Sequence, residues 1–68
     1  MNATVNGEQR ELRAGATVAS VLELLDVAAN ARGIAVAVDG EVVPRSRWDA
    51  TALRDGSRVE VVAAIGGG

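Results

Sequence analysis

Three dipeptides that favour tight turns constrain the fold of this chain more than any other feature of its sequence. They are Asn6-Gly7, Asp39-Gly40 and Asp55-Gly56. Asn-Gly and Asp-Gly suit hairpin turns, in which the central residues have positive φ. The segments between these turns must therefore be short, and we expect an antiparallel hairpin around Asn6-Gly7.

The alternation of apolar and polar residues predicts strands on both sides of the first turn. In the first strand, Ala3 and Val5 face the same side. After the turn, Glu11–Arg13 fits a second strand with Leu12 pointing inward. The first hairpin is therefore expected to bury one face and expose the other.

The second half of the chain contains the more apolar strands. Ile34–Val38 is apolar on both faces, with its large residues on one face and its alanines on the other. Glu41–Val43 is a short strand that follows the second turn, and Arg58–Ala63 is the last strand. We expect Val59 and Val61 of that last strand to face the core.

One amphipathic helix is predicted between the two pairs of strands. Thr17 is a good N-cap residue, and the helix should end near Asp26 or shortly after it. Asn30–Gly33 is typical of the loop that follows, and the irregular segment 45–51 fits one helical turn around Trp48. The apolar stripe consists of residues at i, i+3, i+4 and i+7, namely Val18, Val21, Leu22 and Leu25.

The order strand, strand, helix, strand, strand, strand predicts an α+β fold of the β-grasp (ubiquitin-like) type. The helix has to lay its stripe across one face of a mixed sheet of about five strands. A right-handed crossover then brings the first and last strands together, parallel, at the centre of the sheet. We expect residues 1–65 to form this single domain, and residues 66–68 to form a flexible glycine tail.

The residues that are missing exclude most kinds of chemistry for this 68-residue chain. It contains no Cys, which rules out disulfides and a thiol nucleophile, and no His, the commonest general base. All seven cationic residues are Arg, so no lysine is present for a Schiff base or for conjugation. The nine carboxylates show no spacing typical of a metal site. We therefore expect no catalytic residues, bound metal or cofactor in this chain.

Charge and hydropathy also limit the classes of partner. The net charge is −2 and Trp48 is the only aromatic residue, whereas nucleic-acid binders usually have a basic face and aromatic platforms. No apolar stretch approaches the length of a membrane span, and the first residues do not resemble an export signal. We expect a cytoplasmic protein that binds neither nucleic acid nor membrane and is a monomer when free.

The C-terminal segment Gly66-Gly67-Gly68 has no packing role to explain it. Glycine is the costliest residue to order, so one interpretation is simply a frayed chain end. The functional interpretation is a carboxylate on a thin tether that threads into a partner enzyme. Adenylation by ATP, with Mg²⁺ held by the partner, would give Gly68 a good leaving group, and a sulfur donor would then leave a thiocarboxylate.

The longest block that is typical of a known family is residues 32–46, RGIAVAVDGEVVPRS. Further matching segments are Asn6-Gly7-Glu8, Ala16-Thr17-Val18, Trp48, Leu53-Arg54-Asp55-Gly56, Val59-Glu60-Val61-Val62 and Gly67-Gly68. Through these residues, over essentially its whole length, the sequence resembles the ThiS family of sulfur carriers for thiamine biosynthesis. Asp39 stands where that family commonly has Asn.

The resemblance implies a sequence of partners. A ThiF-type, E1-like adenylyltransferase would adenylate Gly68, and a cysteine desulfurase system would supply the sulfur. The thiocarboxylate would then donate its sulfur to a ThiG-type thiazole synthase, which builds the thiazole ring of thiamine. Gly66 and Gly67 would thread into the partner, and this chain would be a protein cosubstrate rather than an enzyme.

A docking surface is expected at the root of the tail. Val62, Ala64 and Ile65 should project there, with Arg58 on the same surface. Four arginines have two interpretations. They form a patch that meets an acidic partner surface, or they are simply solvated: Arg45, Arg47, Arg54 and Arg58. Trp48 has two interpretations, an interface anchor or a residue that packs over the edge of the core.

Two other functions are compatible with the residues. The small subunit of molybdopterin synthase (MoaD-like) uses the same tail chemistry while docked in a catalytic large subunit. Its members are usually longer, with several aromatic residues and a proline before the final glycines, whereas this chain has Trp48 as its only aromatic residue and no proline near its final glycines. The other alternative is a non-covalent ubiquitin-like interaction module, for which Gly67 and Gly68 would be dispensable.

Overall fold

One mixed sheet and one helix make up the part of the chain that the structure, a computed structural model, describes: residues 1–28 and 31–63. The strands and helices follow the predicted order. They are β1 (Asn2–Val5), β2 (Glu8–Glu11), α1 (Val18–Leu24), β3 (Ile34–Val38), β4 (Glu41–Val43), a short 3₁₀ helix (Arg45–Arg47) and β5 (Arg58–Ala63).

The five strands are arranged in the order β2-β1-β5-β3-β4, which puts the last strand at the centre of the sheet. β5 runs parallel to β1 and antiparallel to β3, while β2 and β4 form the two edges through antiparallel hairpins. The predicted central pairing of the first and last strands is therefore confirmed. The strand order and the single α-helix among the described residues are those of a β-grasp domain.

The first turn explains why β2 begins earlier than predicted. Asn6 and Gly7 have φ values of 52° and 80°, so the loop contains only these residues and pairs Val5 directly with Glu8. β2 therefore covers Glu8–Glu11, and the prediction of a strand over residues 11–13 was wrong. Leu12 is nevertheless buried, as predicted, because it turns inward just after the strand ends.

Helix α1 begins at a reciprocal cap. The Thr17 side chain accepts a hydrogen bond from the Ser20 backbone N–H, and the Ser20 hydroxyl accepts one from the Thr17 N–H. The helix ends at Leu24, slightly before the predicted end, and Asp26 has a φ of 59°, which helical residues do not adopt. Of the predicted stripe, Val18, Val21 and Leu22 are buried and Leu25 is half-buried. The Asn30 part of the predicted loop lies outside the described residues.

The core lies between α1 and one face of the sheet. Strand residues Ala3, Val5, Val36 and Val59 are buried from that face, while the predicted inward residue Val61 is half-buried and packs against them. The helix, together with Leu12, Ala16, Trp48 and Leu53, covers the other side. Val59 has no exposed surface, so β5 is held most firmly in its first half.

Candidate functional site

β5 ends at Ala63, and residues 64–68 follow it in the sequence. Val59 and Val61 face the helix, so the alternate residues Arg58, Glu60 and Val62 face away from it. This outward face of the sheet has no helix over it among residues 1–28 and 31–63.

The outward face is apolar next to the root of the tail. Val62 pairs with Ala35 across β5 and β3, and Ala37 pairs with Val42 across β3 and β4. Paired residues share a face of the sheet, so these four side chains form one surface, here called the free-face patch. Val62 is 61% exposed and Val42 is 75% exposed, so no other described residue covers the large side chains of this patch.

Asn6 ties the first hairpin to the end of β5. Its backbone N–H donates to the Val59 carbonyl at 2.9 Å, and its side-chain Oδ1 accepts from the Val61 N–H at 2.8 Å. The residue thus combines a left-handed backbone at the turn with a hydrogen bond to a strand far away in the sequence. A shallow groove runs beside it on the outward face, lined by Thr4, Asn6, Gly7, Arg58 and Glu60.

The arginines that were considered as one patch lie in different places. Arg58 is exposed on the outward face of β5, and its N–H bonds the Asp39 side chain at the turn that precedes β4. Arg45 and Arg47 follow the other end of β4, in the 3₁₀ helix. Arg54 lies in the loop before β5, where its N–H bonds the Ser57 hydroxyl. A single patch of these arginines is therefore not formed.

Trp48 packs in the core, which agrees with the second of its two interpretations. It is 4% exposed, and its indole Nε1 donates to the Val43 carbonyl at 2.9 Å. The Arg45 guanidinium lies 4.5 Å from the centre of the indole ring and donates to the Ala31 carbonyl. Trp48 and Arg45 together therefore fix the loop before β3 against the end of β4.

Two of the four predicted partner-binding residues lie in the part of the chain that the structure describes. Arg58 and Val62 are both exposed on the outward face of β5. Ala64, Ile65, Gly66, Gly67 and Gly68 lie outside the described residues, as does the predicted boundary between residues 65 and 66. Within the described ranges, no group of three or more His, Cys, Asp or Glu side chains is placed to hold a metal ion, and no helix is long and apolar enough to cross a membrane.

Sequence reasoning did not identify all of this surface. It placed the alanines of Ile34–Val38 on one face but did not connect that face with Val62. The antiparallel pairing of β3 with β5 makes the connection, and the same pairing logic adds Val42. The contact between Asn6 and Val61 had no signal in the local sequence, because it joins residues 55 positions apart.

Relatives of known identity share both the sequence and the fold. The ThiS family model matches residues 3–68. The chain is 41% identical over 68 residues to a thiazole synthase of Paramagnetospirillum magneticum. The match covers all of this chain but only 20% of that protein. It is 32% identical to the sulfur carrier protein ThiS of Escherichia coli, with 100% of both chains covered.

Solved structures extend the likeness to three dimensions. The crystal structure of a thiamine biosynthesis protein (ThiS) from Geobacter metallireducens matches with a TM-score of 0.80 and 38% identity over 100% of both chains. An NMR solution structure from the same organism matches with a TM-score of 0.77, covering 100% of this chain and 88% of that one. The fold and the exposed end of its central strand define a β-grasp domain of the ubiquitin-like class. Within that class, this chain belongs to the ThiS family.

Proposed function

We propose that this chain is a sulfur-carrier protein whose terminal carboxylate, on Gly68, carries sulfur for the thiazole ring of thiamine. The observation that supports the proposal best is the extent of the family match, which runs through the glycine tail to residue 68. The full-length match to a protein named as a sulfur carrier supports the same function. The chain is then a cosubstrate, and the enzymes that act on it supply the catalysis.

The proposed chemistry needs no side chain of this protein. A carboxylate oxygen of Gly68 attacks the α-phosphate of ATP and expels pyrophosphate, which leaves an acyl-adenylate. A persulfide sulfur then attacks the carbonyl carbon and expels AMP, and a thiol reduces the resulting S–S bond to leave the thiocarboxylate. The adenylyltransferase would hold ATP and Mg²⁺. The chain itself has no His and no Cys for these steps.

Three partners follow from this proposal. A ThiF-type adenylyltransferase activates the tail, a cysteine desulfurase system provides the persulfide, and a ThiG-type thiazole synthase takes the sulfur. The similarity to a thiazole synthase that is about five times longer than this chain supports the last of these partners. The free-face patch and Arg58 offer the surface on which the partners would dock, and we expect these encounters to take place in the cytoplasm, where ATP is available.

The intact mass of the protein tests the proposal. The chain is incubated with ATP, Mg²⁺, a ThiF-type adenylyltransferase and a desulfurase with cysteine. The expected product has one carboxylate oxygen replaced by sulfur, and a chain that lacks Gly67 and Gly68 should stay unmodified while keeping its fold. In the cell, loss of the protein should create a requirement for thiamine that the thiazole moiety relieves. A wild-type chain that never gains sulfur would contradict the proposal.

A further inference from the structure

β1 and β3, the two strands beside β5, pair with it over different lengths. The pairing with β1 stops at Val5 opposite Val59, because β1 turns away at Asn6. The pairing with β3 continues to Ile34 opposite Ala63. The last residues of β5 therefore have a strand on one side only, within the part of the chain that the structure describes.

The backbone groups on the open side can be assigned from the hydrogen bonds that precede them. The N–H groups of Thr4 and Asn6 donate to the carbonyls of Ser57 and Val59, each at 2.9 Å, so odd-numbered residues of β5 point their backbone groups toward β1. The Asn6 side chain takes the next N–H, that of Val61, at 2.8 Å. The next two groups on this edge are the Val61 carbonyl and the Ala63 N–H. Among residues 1–28 and 31–63, neither group has a hydrogen-bond partner.

The two outer edges of the sheet are protected in ways that this short edge is not. β2 carries Glu8, Arg10 and Glu11 along its length, and charged residues discourage a strand edge from pairing. β4 has only three residues and is followed by Pro44, which has no N–H to donate. Beside β5, the turn ends in Gly7, which has no side chain and has open space where a Cβ would be. The turn therefore adds no side chain at this position that would cover the open edge.

We propose that this edge, at the Val61 carbonyl and the Ala63 N–H, pairs with an extended backbone segment of the adenylyltransferase that activates the tail. The inference rests on the proposed function, because that partner has to reach the carboxylate of Gly68, five residues after Ala63 in the sequence. A carbonyl and an N–H two residues apart are what one residue of a parallel strand uses, as Thr4 does in register with Arg58 two steps earlier along this edge. The added segment would lie beside Val62, which is the member of the free-face patch on β5 itself. Pairing of this kind gives affinity through the main chain without demanding particular side chains.

Amide hydrogen exchange, followed by NMR on the isotope-labelled chain, tests the inference directly. In the free protein the Val62 N–H, which points toward β3, should be protected and the Ala63 N–H should exchange quickly. On addition of a ThiF-type adenylyltransferase with ATP and Mg²⁺, the Ala63 N–H should become protected. If Ala63 exchanges as fast in the complex as in the free chain, the edge is not used and the inference is wrong.

A matched pair of variants separates a hydrogen bond from simple burial. Ala63→Pro removes the N–H, whereas Ala63→Gly keeps it and is at least as flexible. The N–H of residue 63 points away from β3, so both variants should fold, which the fluorescence of buried Trp48 reports. Loss of one backbone hydrogen bond should weaken adenylyltransferase binding by about three- to tenfold in the proline variant only. Protection of Ala63 without this defect would mean that burial alone slows exchange, and would overturn the inference.

The outcomes also separate this inference from the proposed function. A chain that gains sulfur while its Ala63 N–H stays unprotected refutes the edge and leaves the carrier function standing. A chain that binds with Ala63 protected and the proline defect present, but never gains sulfur, supports the edge and refutes the carrier function. A chain that neither binds nor gains sulfur refutes both.

Discussion

Asn6 should contribute to stability in two separable ways, and substitutions can measure each of them. Its φ of 52° is a left-handed conformation, which costs most residues other than glycine about 1–2 kcal/mol. Its Oδ1 also accepts the Val61 N–H at 2.8 Å, and one such bond contributes about 1 kcal/mol. Asn6→Gly loses only the bond, so we expect a loss of about 1 kcal/mol in the free energy of unfolding. Asn6→Ala also takes on the backbone strain and should lose about 2 kcal/mol or more.

Asn6→Asp serves as the control, because Asp tolerates the left-handed region and keeps an acceptor oxygen in the same place. We expect its stability to stay close to that of the wild type. Thermal denaturation followed by Trp48 fluorescence measures all three variants, and 1 kcal/mol should appear as a shift of roughly 4–8 °C in Tm for a domain of this size. If Asp is as damaging as Ala, or Gly and Ala are equivalent, the assignment of the two contributions is wrong.

Three further predictions concern the helix, the core and the docking surface. Thr17→Ala removes the helix cap and should cost about 1 kcal/mol of unfolding free energy in urea; an unchanged midpoint would mean that water replaces the cap. Leu22→Ala leaves a cavity in the core and should cost about 2–5 kcal/mol, seen as a loss of thermal stability, so a native-like Tm would contradict the packing. Val62→Asp should weaken adenylyltransferase binding about tenfold by calorimetry, which corresponds to about 1.4 kcal/mol, while stability is preserved. Leu24→Asp, at a site 55% exposed on the helix, is its matched control and should bind normally; equal losses would show that the free-face patch is not the docking surface.

Local patterns in the sequence predict the strands that have apolar faces and miss the one that does not. Ile34–Val38 and Arg58–Ala63 match their predicted bounds because alternation and flanking turns mark both ends. β2 reads Glu-Gln-Arg-Glu, with no apolar residue to show a buried face. Leu12, the residue that suggested the strand, is buried after the strand has ended. The type of turn, rather than hydrophobicity, sets where this edge strand begins.

Part of the candidate site can be predicted from the local sequence, and part depends on contacts between residues that are distant in the sequence. The exposure of Val62 and Arg58 follows from alternation along one strand, which the sequence displays. The edge beyond Asn6 depends on where β1 stops beside β5, and the pairing of strands more than fifty residues apart sets that point. Nothing near Asn6 in sequence indicates that its side chain reaches Val61. The contacts that determine where strand pairing stops are therefore the hardest to predict from local sequence patterns.

The proposed carrier function would use the two halves of β5 differently, the first as a firm anchor in the sheet and the second as a surface that partners reach. The first half is hydrogen-bonded on both edges and includes Val59, which has no exposed surface. The second half is paired on one edge, and its outward residues Glu60 and Val62 alternate with Val61, which packs against the core. Stability therefore depends on the inward side chains of this strand, and the proposed docking on the outward side chains that alternate with them. Substitution of outward residues should consequently alter sulfur loading without moving the unfolding transition, whereas substitution of Val59 should lower both together.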